Sequence, residues 1–372
     1  MLTPQLVVTH GGGEYPVHVE PGLLEALPQL VAHHLGSRPT TLIADATVAR
    51  LYLDWLRGGP SPWRPRESTC SDQPPGGWPD PLTFPAGEAS KSRETWAMLT
   101  DQLLDRGLGR EGGLVAMGGG VTGDLAGFVA ATYLRGIPLV QVPTTLLAML
   151  DSSVGGKVGV DTVHGKNLVG AFHPPVAVVA DPMVLTTLND REFRSGLAEA
   201  VKHGLIADAG HLEWIEASAA QLAERDLGAV TALIRRSIAI KADIVARDER
   251  EAGPRELLNA GHTVGHALEH AGGYQLLHGE AVAIGLVAEC RIGEELGVTP
   301  GGTADRVEAL LRALGLPVRT PAGVEVSRSD LLAAMGRDKK NRGGKLRMAL
   351  PSEVGRGASV DVPANAVRAL DL

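Results

Sequence analysis

At 372 residues with 44% hydrophobic content, the chain carries enough apolar side chains for two cores of ordinary size. A formal charge of −8 argues against a general nucleic-acid surface, because phosphate-backbone affinity rests on surplus Lys and Arg, and leaves room only for a local basic pocket. Cys70 and Cys290 are too few for a disulfide framework, Met1-Leu2-Thr3-Pro4-Gln5 lacks the features of a signal peptide, and no stretch reaches the length of a membrane span, so a reducing, cytoplasmic location is expected.

With aromatics at only 3%, packing must come from aliphatic side chains on regular helices and parallel strands. Short aliphatic runs at Gln5 to Val8 and Thr41 to Ile43, with a helical stretch from Leu23 to Leu35 between them, open an α/β unit. From Gly59 to Gly87 prolines and glycines crowd together, which predicts a long surface loop. Gly113 to Met117 then reads as a strand, Leu125 to Tyr133 as a helix and Leu139 to Val142 as a second strand, together a βαβ unit. After about Asp181 long amphipathic segments dominate, at Arg191 to Ile206, Leu227 to Arg247, Glu256 to Ala271 and Glu280 to Leu296, which makes the second half a helical domain. Val367 to Leu370 suggests only a short ordered tail.

Gly118-Gly119-Gly120-Val121-Thr122-Gly123-Asp124 has the G-x-G-x-x-G spacing and lies between a predicted strand and a predicted helix. Glycines there let the backbone approach a pyrophosphate, while the helix N-terminus supplies N–H donors. The plainer alternative is a tight turn that needs positive φ. No acid ends the following strand, so a ribose would have to be read elsewhere, at Asp45 or Glu88.

Lys157 and Lys166, both set among glycines, suggest loops that bring ammonium groups to an anion, and with Arg135 they look like a phosphate or carboxylate clamp. Taken singly, each lysine reads more readily as a solvated surface residue. Asn259, His262 and His266 recur at spacings of three and four, which puts them on one helical face, and His278 begins the next helical segment. A lone helical histidine is ordinarily core or surface; His-x-x-x-His with a third histidine nearby is enriched in metal sites. Glu199 interrupts an apolar helical stretch and wants a cation. One Glu with two His is the pattern of a catalytic zinc with an open position, although His262 to His266 lacks the glutamate of the zinc-protease motif.

These segments together resemble the dehydroquinate synthase family from about Phe84 to Leu350. Gly118 through Asp124, Tyr133 to Gly136, Asp151 through Lys157, Lys166-Asn167, Glu199 through Lys202, Leu257 through His266, His278-Gly279-Glu280 and Asp338-Lys339-Lys340 fall in family order. The resemblance implies a Rossmann-like NAD-binding α/β domain over 1–183 and a helical metal- and substrate-binding domain over 184–372. It implies Zn2+, with Co2+ as a substitute, on Glu199, His262 and His278. Asp45, Gly87, Glu88, Lys91, Gly119, Gly120, Val121, Thr122, Gly123, Asp124, Thr144, Thr145, Thr187 and Leu188 would line the NAD site, with Lys157 and Lys166 close by. Asp151, Lys157, Lys166, Asn167, Lys202, Lys241, Arg255, Asn259, His266 and one lysine of the 338–340 run, taken as Lys340, would surround the substrate. Arg135 would reach that substrate from the neighbouring subunit of a homodimer. Asp161 stands where the family is expected to carry Asn.

The activity so implied turns 3-deoxy-D-arabino-heptulosonate 7-phosphate, a small sugar-acid phosphate, into 3-dehydroquinate. The route is transient oxidation by NAD, phosphate elimination, reduction and an internal aldol closure. A sister sugar phosphate cyclase, such as a valiolone- or deoxyinosose-forming synthase, would keep the zinc and NAD residues and change only the substrate shell. A glycerol dehydrogenase-like enzyme shares the architecture but has no need of the cationic clamp. A non-enzymatic module predicts a damaged ligand set, and none is seen.

Overall fold

The computed structural model describes residues 4–57, 80–336, 345–363 and 366. Most of the proline- and glycine-rich segment, the 338–340 lysine run with Lys340, and residues 367–370 lie outside the described residues. The chain divides into two compact units, one of residues 1–189 with 241–249, the other of residues 190–240 with 250–372.

The first unit is built on β1 (Leu6–His10), β2 (Gly13–Val19), helix α1 (Leu27–Leu35), β3 (Thr40–Asp45), α2 (Ala46–Leu56), β4 (Leu82–Phe84) and α3 (Arg93–Asp105). It continues through β5 (Gly113–Gly118), α4 (Gly120–Thr132), β6 (Leu139–Pro143), β7 (Lys157–Thr162), β8 (Gly165–Phe172) and β9 (Ala177–Ala180). Seven strands form one sheet in the order β1-β2-β9-β6-β5-β3-β4, parallel except where β1 turns back on β2. Every residue of β5, β6 and β9 is buried, as a parallel sheet covered on both faces requires. One face packs Leu99, Leu103, Leu125, Val129 and Leu139 into a continuous core.

The second unit contains α5 (Asp190–Ala207), α6 (Ala209–Ala217), α7 (Ala219–Ala223), most of α8 (Leu227–Arg247), α9 (His262–Ala271), α10 (His278–Glu295), α11 (Thr303–Ala313) and α12 (Arg328–Gly336). It closes with an antiparallel pair, β10 (Lys345–Glu353) and β11 (Arg356–Pro363). Val264, Leu268, Ile284 and Ala288 of α9 and α10 pack with Leu346, Met348 and Leu350 of β10. No described helix is long and apolar enough to cross a membrane.

Several expectations need correction. The helical stretch at Leu23 is a 3-10 turn, Leu23–Ala26, before α1, whose first turn holds Pro28, a residue that lacks an N–H and fits where none is needed. Glu256 to Ala271 is not one helix: a 3-10 segment, Pro254–Asn259, ends at Ala260, and Gly261, at φ 77°, turns the chain into α9. Asn259 therefore does not share the helical face of His262 and His266. Lys157 and Lys166 lie not on loops but on β7 and β8, a two-stranded hairpin. The second half is mostly helical as expected, with β10 and β11 added to its helices.

Candidate active site

The C-terminal ends of β3, β5 and β6 lie side by side, with Met117 opposite Ala44 and Gly118 opposite Pro143. That is where an open parallel sheet offers a ligand crevice. None of Gly118, Gly119, Gly120 or Gly123 has positive φ, so a left-handed turn is not what requires them. Close approach is. A methyl at Gly118 would lie 2.2 Å from Thr122 Oγ1, at Gly119 3.1 Å from Thr145 Cγ2, at Gly120 3.2 Å from Ser152 Oγ and at Gly123 2.9 Å from Gln141 Oε1. The glycines bring the start of α4 against the end of β6, where Thr144 N–H donates to the Gly118 carbonyl at 2.9 Å. Val121 and Thr122 belong to the first turn of α4, whose amides face forward for an anion.

Asp45 sits at the end of β3 beside this turn. Its Oδ1 accepts the N–H groups of Thr47 and Val48 at 2.9 and 3.0 Å, and its Oδ2 accepts the Thr122 hydroxyl at 3.3 Å. Thr187 shares a hydrogen bond with the Tyr52 hydroxyl at 2.8 Å, one residue before Leu188.

Several other predicted residues of this unit pair with one another. Gly87, at φ 111°, admits the turn that carries Glu88, whose carboxylate lies 3.3 Å from Lys166 Nζ. Buried Lys91 donates to Asp124 Oδ2 at 2.5 Å. Burial works against the Lys91 ammonium, but Asp124 and Glu88 outweigh it and hold the group charged. The Lys91 carbonyl accepts Asp161 N–H at 2.8 Å, and Asp161 Oδ1 accepts Asn167 N–H at 2.8 Å, which pins Asn167 in a left-handed conformation at φ 54°. An Asn side-chain carbonyl could accept the same bond, so Asp161 preserves the backbone role of the residue expected there. Lys241, contributed by the last third of α8, donates to the Asp151 carbonyl at 2.7 Å and forms an ion pair with its Oδ1 at 2.6 Å. Arg135 is exposed on a backbone bent through three consecutive left-handed residues, Leu134, Arg135 and Gly136, at φ 49°, 73° and 117°.

The second unit assembles Glu199 from α5, His262 from α9 and His278 from α10, with ligand atoms all within 4.8 Å of one another. Glycines again set the spacing. A methyl at Gly279 would fall 1.8 Å from the Ser195 carbonyl, which holds α10 against α5. A methyl at Gly285 would fall 2.0 Å from the Gly261 carbonyl, and one at Gly265 3.1 Å from that of Ala281, which hold α10 against α9. Fully buried Glu199 presents Oε1 to His278 Nε2 at 3.3 Å and to His262 Nε2 at 3.6 Å, while its Oε2 pairs with the buried ammonium of Lys202. The His262 Nδ1 bonds to the Ala260 carbonyl at 3.0 Å, an arrangement that leaves Nε2 as the basic nitrogen. Burial, then Lys202, pushes His262 well below the ordinary imidazole range, so the ring is neutral. Burial also opposes charge on His278, yet the adjacent carboxylates of Glu199 and Glu269 raise it to about 10. Carboxylate and neutral imidazole suit a divalent zinc-like cation, and the negative field that raises His278 would favour it.

Glu269 was not picked out from sequence. Its Oε2 lies 3.5 Å from His278 Nδ1 and 4.0 Å from His266 Nε2, the carboxylate–histidine pairing that orients a metal-binding imidazole. Glu251 was missed as well: its Oε1 accepts from Asn259 Nδ2 at 2.8 Å. Buried Arg255 sits in the same 3-10 segment as Asn259.

Two family models together cover the chain from residue 81 to residue 341. Residues 81–195 match the 3-dehydroquinate synthase N-terminal model and residues 196–341 the C-terminal model. The 3-dehydroquinate synthase of Nitrosospira multiformis is 44% identical over 98% of this chain and 95% of its own. That of Cereibacter sphaeroides is 46% identical over 100% of this chain and 98% of its own. Among solved structures, 2-epi-5-epi-valiolone synthase from Streptomyces hygroscopicus with NAD+ and Zn2+ bound superimposes with a TM-score of 0.82 at 30% identity, covering 99% of this chain and 97% of that one. With both halves of the pattern matched in order and nearly half its residues shared end to end with named members, the chain belongs to the 3-dehydroquinate synthase family.

Proposed function

We propose that this chain is a carbon–oxygen lyase that converts 3-deoxy-D-arabino-heptulosonate 7-phosphate into 3-dehydroquinate and phosphate, with residues 1–183 holding NAD and residues 184–372 holding metal. The observation that carries the reading is the Glu199–His262–His278 cluster, closed by Lys202, in a chain that aligns with named synthases over its whole length. When bound, NAD+ supplies a hydride acceptor and Zn2+ a Lewis acid for the hydroxyl that is oxidised.

The chain's own residues bind and orient. Asp45 and the first turn of α4 receive the dinucleotide, with Thr144 and Thr145 beside them. Lys157, Lys166 and Lys241 provide cationic charge for a phosphate or carboxylate, and Asp151 fixes the Lys241 ammonium in place. Arg255, Asn259 and His266 supply further polar contacts, and Lys340 is assigned with them. A homodimer in which Arg135 serves the neighbouring subunit belongs to this reading, supported by its exposure and by strained backbone of the kind kept where function demands it. A cytoplasmic location goes with such a biosynthetic role. The sister-cyclase reading has only a structural relative behind it, the valiolone synthase at 30% identity, against 44% and 46% for the named dehydroquinate synthases.

The test is phosphate release from 3-deoxy-D-arabino-heptulosonate 7-phosphate with NAD+, with and without chelator, while NADH absorbance is followed and the product identified. Metal-dependent release with dehydroquinate formed and no net NADH is expected. No release from this substrate, but release from a heptulose or glucose phosphate, would transfer the chain to the sister cyclases. Steady NADH accumulation with polyols would identify a dehydrogenase.

A further inference from the structure

Helix α9, which carries His262 and His266, begins without a capping side chain. Gly261 occupies its N-cap in a left-handed conformation and has no side chain to bond the free amides of the first turn. Two N–H groups at this end are satisfied from another helix. Glu289, on α10 and only 1% exposed, accepts the Gly261 N–H through Oε2 at 2.7 Å and the Val264 N–H through Oε1 at 2.9 Å. Its carboxylate also faces the positive end of the α9 dipole.

The Gly261 N–H shares one planar peptide with the Ala260 carbonyl. That carbonyl bonds His262 Nδ1 at 3.0 Å. A single rigid plane thus has Glu289 on one edge and the His262 ring on the other. We propose that Glu289 is a positioning residue for the metal site: by clamping the Ala260–Gly261 peptide and the first turn of α9, it fixes the tautomer and direction of His262. Because Glu289 stands on the helix that starts with His278, the clamp also ties the two imidazoles to each other. The inference rests on the reading of Glu199, His262 and His278 as ligands.

A glutamine at 289 keeps the size but offers only one acceptor atom to two donors, and its amide opposes the second N–H. Zinc affinity of the full chain, measured by competition with a chromogenic chelator, is expected to fall 10- to 100-fold in Glu289→Gln, the range found when the partner of a metal-binding histidine is removed. NAD+ affinity should not change. Ile292→Val, a core substitution on the same helix, provides a destabilised comparison and should keep wild-type zinc affinity. His262→Ala separates the two readings. If it binds zinc as the wild type does, the ligand assignment fails. If it loses zinc while folded Glu289→Gln keeps full affinity, the clamp is refuted and the assignment stands. Should Glu289→Gln not fold, hydrogen exchange in the wild-type peptide spanning residues 259–266 decides. The clamp requires the Gly261 and Val264 amides to exchange as slowly as helix-interior amides, and rapid exchange there overturns it.

Discussion

Gly285→Ala tests whether contact between main chains sets the metal site. The added methyl would lie 2.0 Å from the Gly261 carbonyl oxygen and 3.0 Å from Gly265 N, both backbone atoms that cannot turn aside. Since a methyl carbon does not approach an oxygen closer than about 3 Å, α9 and α10 must part by about 1 Å at this point. Overpacking of this kind costs about 1–3 kcal/mol, which for a unit of this size lowers Tm by about 2–12 °C. The same displacement separates His262 from His278, so zinc affinity should fall at least tenfold, and turnover about 100-fold if geometry governs the chemistry. Differential scanning calorimetry and chelator competition on the same preparation measure both effects. Gly301→Ala, where nothing lies within 4 Å of the new methyl, should change neither. A Gly285→Ala protein with wild-type Tm and zinc affinity would refute the reasoning, because it would show that the helices have slack at their closest point.

Lys91→Met leaves the half-buried Asp124 carboxylate without its cation and should destabilise the first unit by about 1–3 kcal/mol at neutral pH, read from urea unfolding. The double variant Lys91→Met with Asp124→Leu should regain much of that loss, and its failure to do so would show that the pair is not what is missing. His211 is fully buried, and burial, then His203, lowers it to about 4, so the folded unit prefers the neutral ring. Its contribution is complete above the unfolded value near 6.5 and is lost as pH falls toward 4, amounting to about 2 kcal/mol by pH 5. His34, lowered to about 4 by burial and then by His18, changes with the same sign. The unfolding midpoint should drop between pH 7.5 and 5, less steeply in His211→Gln, and equal slopes would remove His211 as a cause.

Where hydrophobic periodicity was strong, sequence and structure agree closely. The βαβ unit around Gly118 and the long helices α5 and α8 are readable because their apolar faces are continuous. The break at Gly261 was not, because Leu257, Leu258 and Ala260 continue a helical pattern across a residue whose backbone ends it. Lys157 and Lys166 looked like loop residues because the many glycines around them suggest turns. In the hairpin those glycines permit close pairing instead: a methyl at Gly159 would lie 2.7 Å from the Val169 carbonyl. The metal ligands were visible as an acid and histidines at unusual positions. Glu269 and Glu289 carry the same signal as Glu199, an acid within an apolar helical stretch, but their closest partners are remote in sequence. Their partners are a ring and two amides from elsewhere, which only the fold brings near.

The glycine seam of the second unit also bears on engineering for heat resistance. Replacing helical glycine by alanine is a standard way to restrict the unfolded chain, worth about 0.4–1 kcal/mol where the backbone allows it. In this unit the rule divides by contact. Gly210 of α6, whose added methyl would come no closer than 3.4 Å to the Asp208 carboxylate, is open to it. Gly265, Gly279 and Gly285 are closed, because there a methyl meets the carbonyl of another segment rather than a side chain that can rotate. By this route the second unit gains its degrees away from Gly265, Gly279 and Gly285, where the helices touch through their main chains.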